Sequence, residues 1–200
     1  MTPPDDLPDD LRSSILDRFG KVATDPDREE RFPVGPESAK ALGYDAAEVD
    51  ALPPSLTESF CGVGNPFSLG EPELRQTVLD LGCGAGFDTL LAARRVGASG
   101  RAIGVDMTPG MVAKARRNAE ALGTANAEFL LAGIERLPLP DKSVDLVISN
   151  GVFNLCPEKL AVLAEVVRVL KPGGRLQMAD ILLEPHVTPE QAASKGSWSD

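Results

Sequence analysis

The chain has 200 residues, 42% of them hydrophobic, which is enough for one domain with a sizeable core. Its net charge of −10 disfavours nucleic acid and anionic membranes as partners, because both need a basic surface. No apolar run approaches the roughly 18 residues of a membrane-spanning helix. The first residues lack the features of a signal peptide, so we expect a cytoplasmic protein. The three cysteines form no Cys-x-x-Cys pair, which argues against a disulfide framework or a bound metal ion.

Residues 1–72 are predicted to form an N-terminal segment of short helices and loops. Apolar residues recur at helical spacing from Leu7 to Phe19, and 37–42 and 45–52 are two further predicted helices. The proline pair at 53–54 and the stretch 62–66 predict loops. We expect this segment to pack on the rest of the chain, or to move over it as a lid.

Residues 73–200 are predicted to form the main domain, in which strands and helices alternate. The predicted strands are 77–81, 101–106, 127–131, 143–149 and 175–183, and the predicted helices are 87–96, 109–122 and 157–170. This alternation predicts an α/β fold with a mostly parallel sheet and helices on both faces. The buried stripe of the last helix is predicted to be Val162, Leu163, Val166, Val167 and Leu170.

A glycine-rich turn follows the first predicted strand of this domain. Gly82, Gly84 and Gly86 stand between that strand and a helix, which is the layout of a nucleotide-cofactor site. The third glycine of a dinucleotide motif would fall at position 87, which is Phe87. Asp80, two residues before Gly82, would repel a pyrophosphate but would suit an ammonium group.

A second acid ends the next predicted strand. Asp106 lies 24 residues after Gly82, close to the ~20 residues expected for an acid that binds ribose hydroxyls. The cofactor should therefore have a ribose without a 2′-phosphate, no pyrophosphate and a positively charged end. S-adenosylmethionine (SAM) meets these three conditions. The alternative is that Asp80 and Asp106 only cap the ends of their strands.

The chain from Val78 to Leu182 resembles the class I SAM-dependent methyltransferases. The resemblance lies in Val-Leu-Asp-Leu-Gly-Cys-Gly-Ala-Gly at 78–86, Gly-Val-Asp-Met-Thr-Pro at 104–109 and Val-Leu-Lys-Pro-Gly-Gly-Arg at 169–175. It implies a Rossmann-like sheet of order 3-2-1-4-5. It also implies that Asp80 and Gly82, Gly84 and Gly86 bind the methionine part, that Asp106 binds the ribose, and that Met107 packs on the adenine. Ile134 and Glu135 would lie at the adenine edge and Asn150 beside the methyl group.

A narrower resemblance is to the arsenite methyltransferases, in which cysteines hold trivalent arsenic. It lies in segments 59–69, 87–96, 105–109 and 148–157. Two positions that usually carry thiols in that family are Val63 and Gly151 here. Cys61 and Cys156 stand near them, and the resemblance makes these two cysteines the candidate arsenic ligands. It implies a metalloid substrate, with glutathione or thioredoxin as thiol donor.

Two other functions remain open at this point. The absence of thiols at Val63 and Gly151 favours a small organic acceptor, as in quinone-biosynthesis C-methyltransferases. The second of these functions is that of a SAM-binding remnant without catalytic activity. The family's third cysteine follows a Trp-x-x pattern, and this chain stops after Trp198-Ser-Asp200, one residue before that place. We therefore expect a longer natural protein with the last strands of the sheet, and a UGA codon for selenocysteine at position 201, the alternative being an ordinary stop.

Overall fold

The computed structural model describes residues 9–26, 29, 32–182 and 186. The α-helices are α1 (Asp9–Thr24), α2 (Pro36–Ala41), α3 (Ala46–Asp50), α4 (Pro54–Thr57), α5 (Phe87–Val96), α6 (Pro109–Ala121) and α7 (Lys159–Val169). The strands are β1 (Thr77–Leu81), β2 (Arg101–Asp106), β3 (Ala127–Leu131), β4 (Val144–Asn150) and β5 (Leu170–Ala179), and short 3-10 helices span Pro66–Leu69 and Phe153–Leu155. None of the helices described is both long and apolar enough to cross a membrane.

The five strands form one parallel sheet in the order β3-β2-β1-β4-β5, so the predicted α/β fold and strand order are confirmed. β1 lies at the centre, between β2 and β4. Because all strands run the same way, their carboxyl ends and the residues that follow them meet at one edge of the sheet. That edge is where open α/β sheets bind their ligands.

Apolar side chains cover both faces of the sheet. On one face, Val78, Phe129 and Ile148 belong to a core cluster that also includes residues of α5 and α6. On the other, Leu79, Val105 and other strand residues pack with α7. Burial on both faces explains why β1 and β4 read as nearly continuous apolar runs.

The segment before β1 packs over the α5 and α6 side of the sheet. Its apolar residues Ala39, Tyr44, Val49, Leu52, Leu56, Phe60 and Phe67 belong to the same core cluster as α5 and α6. Polar contacts reinforce the packing: the buried Lys114 amine on α6 donates to the Ala23 carbonyl (3.1 Å) and the Ser59 hydroxyl (2.7 Å). The segment therefore shares one continuous core with the sheet.

Some predicted boundaries are wrong. The last strand begins at Leu170 and ends at Ala179, not at 175 and 183, because the Pro-Gly-Gly stretch bulges within the ladder: Val144 pairs with Leu170, whereas Leu146 pairs with Arg175. The strand ends where the Asp180 carboxylate accepts a hydrogen bond from the Phe153 backbone N–H (2.7 Å). Residue 183 lies outside the described residues, and α4 was not predicted.

The predicted stripe of α7 also needs correction. Val162 and Val166 are buried as predicted, but Val167 is 71% exposed and Val169 is buried instead. Leu163 and Leu170 are only partly buried, against the α7 side of the core. The helix begins at Lys159 rather than at 157, and α1 runs to Thr24 rather than to Phe19. The prediction therefore identified the buried face of α7 but not its full width. It identified both helices but not their ends.

Candidate cofactor and acceptor site

The turn after β1 requires glycine at positions 82 and 86, because of the backbone angle and because of close neighbours. Gly82 has a φ of +67°, and a Cβ there would lie 2.3 Å from Cγ2 of Val152. Gly86 has a φ of +92°, and a Cβ there would lie 2.9 Å from the Phe129 ring. Positive φ angles and close neighbours both require glycine. Gly82 thus borders the cleft described below, whereas Gly86 lets α5 approach the sheet closely.

Asp80, near the end of β1, is a buried carboxylate that forms no ion pair with any Lys or Arg among the described residues. It is 3% exposed and accepts a hydrogen bond from the Thr89 hydroxyl at 2.6 Å. Burial, together with the nearby Asp88 carboxylate, raises the pKa of Asp80 well above its ordinary value. A ligand ammonium group would supply the missing positive charge. Thr89 was not singled out from the sequence, although its place in the first turn of α5 faces it back toward β1.

Asp106, at the end of β2, joins the glycine turn to the start of α6. One carboxylate oxygen accepts from the Gly84 N–H (2.9 Å) and the other from the Thr108 N–H (2.8 Å). Burial raises the pKa of Asp106 despite these two hydrogen bonds. Each oxygen keeps a second lone pair that can accept a hydroxyl of a ligand.

These residues surround a cleft of about 740 Å³ at the carboxyl edge of the sheet. Its lining comprises Gly82, Gly84, Asp106, Met107, Thr108, Met111, Ala132, Ile134, Glu135, Asn150, Gly151, Val152, Leu155 and Cys156, together with Ile15, Phe19 and Cys61 of the N-terminal segment. Asp80 lines an adjoining cavity of about 400 Å³ that shares Gly82, Gly84, Cys61 and Asn150 with the cleft. Gly86 lines neither. No Lys or Arg is among these lining residues.

The chemical groups that line the two cavities fit SAM. Asp106 offers acceptors for ribose hydroxyls, and Asp80 offers a carboxylate for an ammonium group. Met107 and Ile134 give apolar surface for a planar base, as expected of a largely apolar ligand site. The described lining offers the carboxylates of Asp80 and Asp106 and no Lys or Arg, so it would repel a pyrophosphate.

The two candidate thiols lie on the wall of this cleft. Cys61 also lines the adjoining cavity and a third one, so it stands where the three spaces meet. The Cys156 thiol contacts the Val152 carbonyl at 3.4 Å. Burial raises the pKa of Cys61 and of Cys156 to about 12, so both are neutral thiols at neutral pH. The third cysteine, Cys83, is buried in the glycine turn and does not line the main cleft.

Val63 and Gly151, the two positions that usually carry thiols in the arsenite methyltransferases, face each other. A Cβ at Gly151 would lie 3.2 Å from Cγ1 of Val63. The positions are therefore adjacent in space, but neither side chain carries sulfur.

A third cavity of about 760 Å³ adjoins the cleft on the side of these two residues. It shares Phe19, Cys61, Gly151 and Leu155 with the cleft. The rest of its lining is mainly apolar: Phe32, Pro33, Leu42, Gly62, Val63 and Ile181, with Ser38 and Asn154 as polar members. The lining of this cavity is therefore apolar enough to pack against an organic group.

Asn150, at the end of β4, lies on the cleft, as expected for a residue beside the methyl group. Its side-chain oxygen, however, accepts from the backbone N–H groups of Val63 (2.8 Å) and Gly64 (3.1 Å). Its nitrogen donates to Tyr44, Asp88 and the Gly64 carbonyl. Tyr44 and Asp88 were not identified from the sequence.

Comparison with known proteins agrees with this geometry. The profile of the family described as "Methyltransferase domain" matches residues 74–199. The chain belongs to this family. Family and fold together imply S-adenosylmethionine as the cofactor, in agreement with the carboxylates and apolar side chains that line the cleft and its adjoining cavity.

Similar proteins include arsenite methyltransferases. The chain is 47% identical to that of Halobacterium salinarum over 144 residues, which cover 72% of this chain and 37% of that protein. The arsenite methyltransferase of Aquipseudomonas alcaligenes is 44% identical over 120 residues, covering 56% and 35%. The chain thus spans about a third of the length of these curated relatives.

Solved methyltransferase structures also superpose on this chain. The arsenic(III) SAM methyltransferase from Chlamydomonas reinhardtii superposes with a TM-score of 0.67 at 35% identity, covering 83% of this chain and 55% of that one. A SAM-dependent methyltransferase from Aquifex aeolicus superposes with a TM-score of 0.56 at 28% identity, covering 80% and 81%.

Proposed function

We propose that this chain binds SAM in the cleft beside Asp80 and Asp106 and methylates a thiophilic acceptor, with trivalent arsenic as that acceptor. The observation that carries the proposal is the position of Cys61 and Cys156 on the wall of the same cleft that holds the cofactor residues. Similarity to arsenite methyltransferases supports it. Glutathione or thioredoxin would serve as thiol donor in the cytoplasm.

In this proposal, each cofactor residue has one task. Asp80 receives the ammonium group, and Thr89 keeps that carboxylate oriented. Asp106 accepts the ribose hydroxyls while its backbone partners hold it in place. Met107 and Ile134 enclose the base, and Glu135 lies at its edge. The arsenic lone pair would attack the methyl carbon of SAM, the bond from that carbon to the positively charged sulfur would break, and S-adenosylhomocysteine would leave. Arsenic is thereby formally oxidised from +3 to +5, and glutathione or thioredoxin thiols would return it to +3 by forming a disulfide.

The acceptor chemistry needs little from the protein beyond placement. Trivalent arsenic carries a lone pair, so no base is required to deprotonate it, and no histidine is among the residues that line the cleft. Soft ligands such as thiolates suit a soft thiophilic centre. Because Cys61 and Cys156 are neutral at neutral pH, each would bind arsenic by displacing a hydroxyl or a glutathione thiolate from it, and the thiol proton would leave with that group as water or glutathione. The rate would then depend mainly on alignment.

A second candidate is a small organic acceptor. It is favoured by the apolar third cavity and by the absence of sulfur at Val63 and Gly151. An acceptor with an apolar body would occupy that cavity and present its reactive atom beside Cys61 and Gly151, where the cavity meets the cofactor cleft.

Turnover assays separate the two candidates. With SAM, arsenite and glutathione, we expect methylated arsenic, and we expect Cys61→Ser and Cys156→Ser each to lower the rate by about tenfold or more, because each change removes a soft ligand. SAM affinity, measured by calorimetry on the same variants, should stay close to that of the original protein. Methylated arsenic formed at an undiminished rate by the double variant would contradict the assigned thiols. Its absence from the original protein would contradict the arsenic acceptor itself.

A further inference from the structure

The side chain of Asn150 connects β4 to the loop that carries Cys61. It accepts two backbone hydrogen bonds from that loop, from Val63 (2.8 Å) and Gly64 (3.1 Å), and donates one to the Gly64 carbonyl (2.9 Å). Gly62 completes the contact: a Cβ there would lie 2.3 Å from the Asn150 amide nitrogen. The loop therefore fits against Asn150 only with glycine at position 62.

Two buried residues stand behind Asn150 and form a closed ring of hydrogen bonds with it. The Tyr44 hydroxyl donates to Oδ1 of Asp88 (2.6 Å). The two N–H groups of the Asn150 amide serve three acceptors, Oδ2 of Asp88 (3.1 Å), the Tyr44 oxygen (3.1 Å) and the Gly64 carbonyl, so one of them is shared. Tyr44 is 5% exposed and Asp88 is 6% exposed. The charged groups that act on Asp88 and Tyr44 from the neighbouring elements are Asp80 on β1 and Arg95 on α5.

This ring fixes which way the Asn150 amide points. An ionised carboxylate only accepts hydrogen bonds, so Asp88 requires the nitrogen of Asn150 on its side. The oxygen of Asn150 must then face the N–H groups of Val63 and Gly64. Tyr44 strengthens the preference, because its own proton is given to Asp88 and its oxygen is left to accept from Asn150.

We propose that Asn150, oriented by Asp88 and Tyr44, is a positioning residue that fastens the loop of residues 61–64 over the cofactor cleft and so places Cys61 for the acceptor. The role of Cys61 toward the acceptor rests on the proposed function, whereas the fastening of the loop does not. Tyr44 lines none of the three cavities. Its hydroxyl reaches the acceptor side through Asn150, whereas its ring packs against Phe60 beside Cys61.

Tyr44→Phe tests the proposal with a small change. It removes the hydroxyl but keeps the ring, which packs edge-on against Phe60, Phe67 and Phe87. We expect iodoacetamide to alkylate Cys61 about tenfold faster in this variant, since the two hydrogen bonds by which Tyr44 orients Asp88 and Asn150 are lost and Asn150 then holds the loop less firmly. Mass spectrometry of the modified peptide assigns the site. SAM affinity should remain within about twofold, because Asp80 and Asp106, the two carboxylates proposed to bind SAM, make no hydrogen bond to Tyr44.

Ser55→Ala is the matched control. Its hydroxyl also donates a side-chain hydrogen bond within the N-terminal packing, to Asn118 on α6 at 2.8 Å, but has no link to Asn150. Cys61 alkylation should not change in this variant. Equal alkylation rates in the two variants, or a loss of SAM affinity in Tyr44→Phe as large as its gain in alkylation, would overturn the proposal.

The alkylation result is independent of the acceptor. If arsenite is not methylated but Cys61 becomes reactive in Tyr44→Phe alone, the proposed function fails and the positioning role stands. If arsenite is methylated, Tyr44→Phe should raise the acceptor KM about tenfold while SAM binding is preserved. An unchanged acceptor KM, with unchanged alkylation, would leave Asn150 without this role.

Discussion

Thr89→Val should weaken cofactor binding although Thr89 lines neither the cleft nor its adjoining cavities. The Thr89 side chain is fully buried, and its hydroxyl donates to Asp80 at 2.6 Å. Valine has nearly the same shape but no donor. Asp80 already has a raised pKa because burial and Asp88 disfavour its charge, and loss of the donor raises that pKa further. Binding of an ammonium group needs the charged form of Asp80.

The size of the effect follows from that one hydrogen bond. A hydrogen bond to a charged group contributes about 1.5–3 kcal/mol, which corresponds to roughly ten- to hundredfold in affinity. Calorimetric titration with SAM at about pH 7.5 and again at about pH 6 measures it, and the ratio of variant to original affinity cancels the titration of SAM itself. We expect the ratio to worsen at the lower pH, since fewer Asp80 side chains are then ionised.

Thr57→Val is the control for this experiment. Thr57 is buried to 4% exposure, and its hydroxyl has one long contact, 3.4 Å, with the Pro54 carbonyl. SAM affinity should not change in that variant. An unchanged affinity in Thr89→Val would refute the role of Thr89. A loss of equal size at both pH values would show that it acts through shape and not through the charge of Asp80.

Three further predictions concern stability and the acceptor. Burial raises the pKa of Asp88 to about 6, so its charge destabilises the cofactor-free fold as the pH rises through that value. The free energy of unfolding of Asp88→Asn minus that of the original protein should therefore increase between about pH 5 and pH 8. Urea titrations that give a constant difference over this range would contradict the prediction. Lys114→Met should lower the free energy of unfolding by about 2–3 kcal/mol, because the Ala23 carbonyl and the Glu58 carboxylate lose their buried partner; a urea titration with no loss would refute it. Val63→Cys combined with Gly151→Cys should raise arsenite affinity about tenfold or more, because it places two thiols in contact. The double change should lower the free energy of unfolding by about 1–3 kcal/mol, because cysteine at position 151 must adopt the positive φ of Gly151. Unchanged arsenite binding would contradict the pairing of the two positions.

The sequence was informative where local chemistry decides the structure. β1 and α5 have the predicted bounds, 77–81 and 87–96, because an apolar run, a glycine turn and a helical pattern follow one another without ambiguity. The grouping of the proposed cofactor residues follows from the same logic, since the parallel strand ends bring Asp80, Asp106 and Asn150 to one edge. The strand order itself came from the family resemblance.

The contacts between distant parts of the chain were beyond reach of the sequence alone. Tyr44 and Asp88 are 44 residues apart, and no periodicity predicts that they meet. Nor could the spacing along the chain tell that Val63 touches Gly151. Val167 shows the limit within one helix, because an apolar residue beside a buried stripe is not itself buried unless something packs on it.

Polar groups as well as an apolar face hold the end of α1 in place. Lys114 on α6 donates to the Ala23 carbonyl, and the Ser59 hydroxyl donates to the Val22 carbonyl, both in the last turn of α1. Apolar surfaces can slide past each other at little cost, but a shift of one turn, about 5.4 Å, would strand these buried groups without partners. Ile15 and Phe19 line the cleft from α1, so a change in the size of either side chain would alter the cleft while these bonds keep the helix in register. The width of the cleft on that side can be adjusted one side chain at a time, which makes these two positions a natural place for selection, or an engineer, to change what the cleft admits.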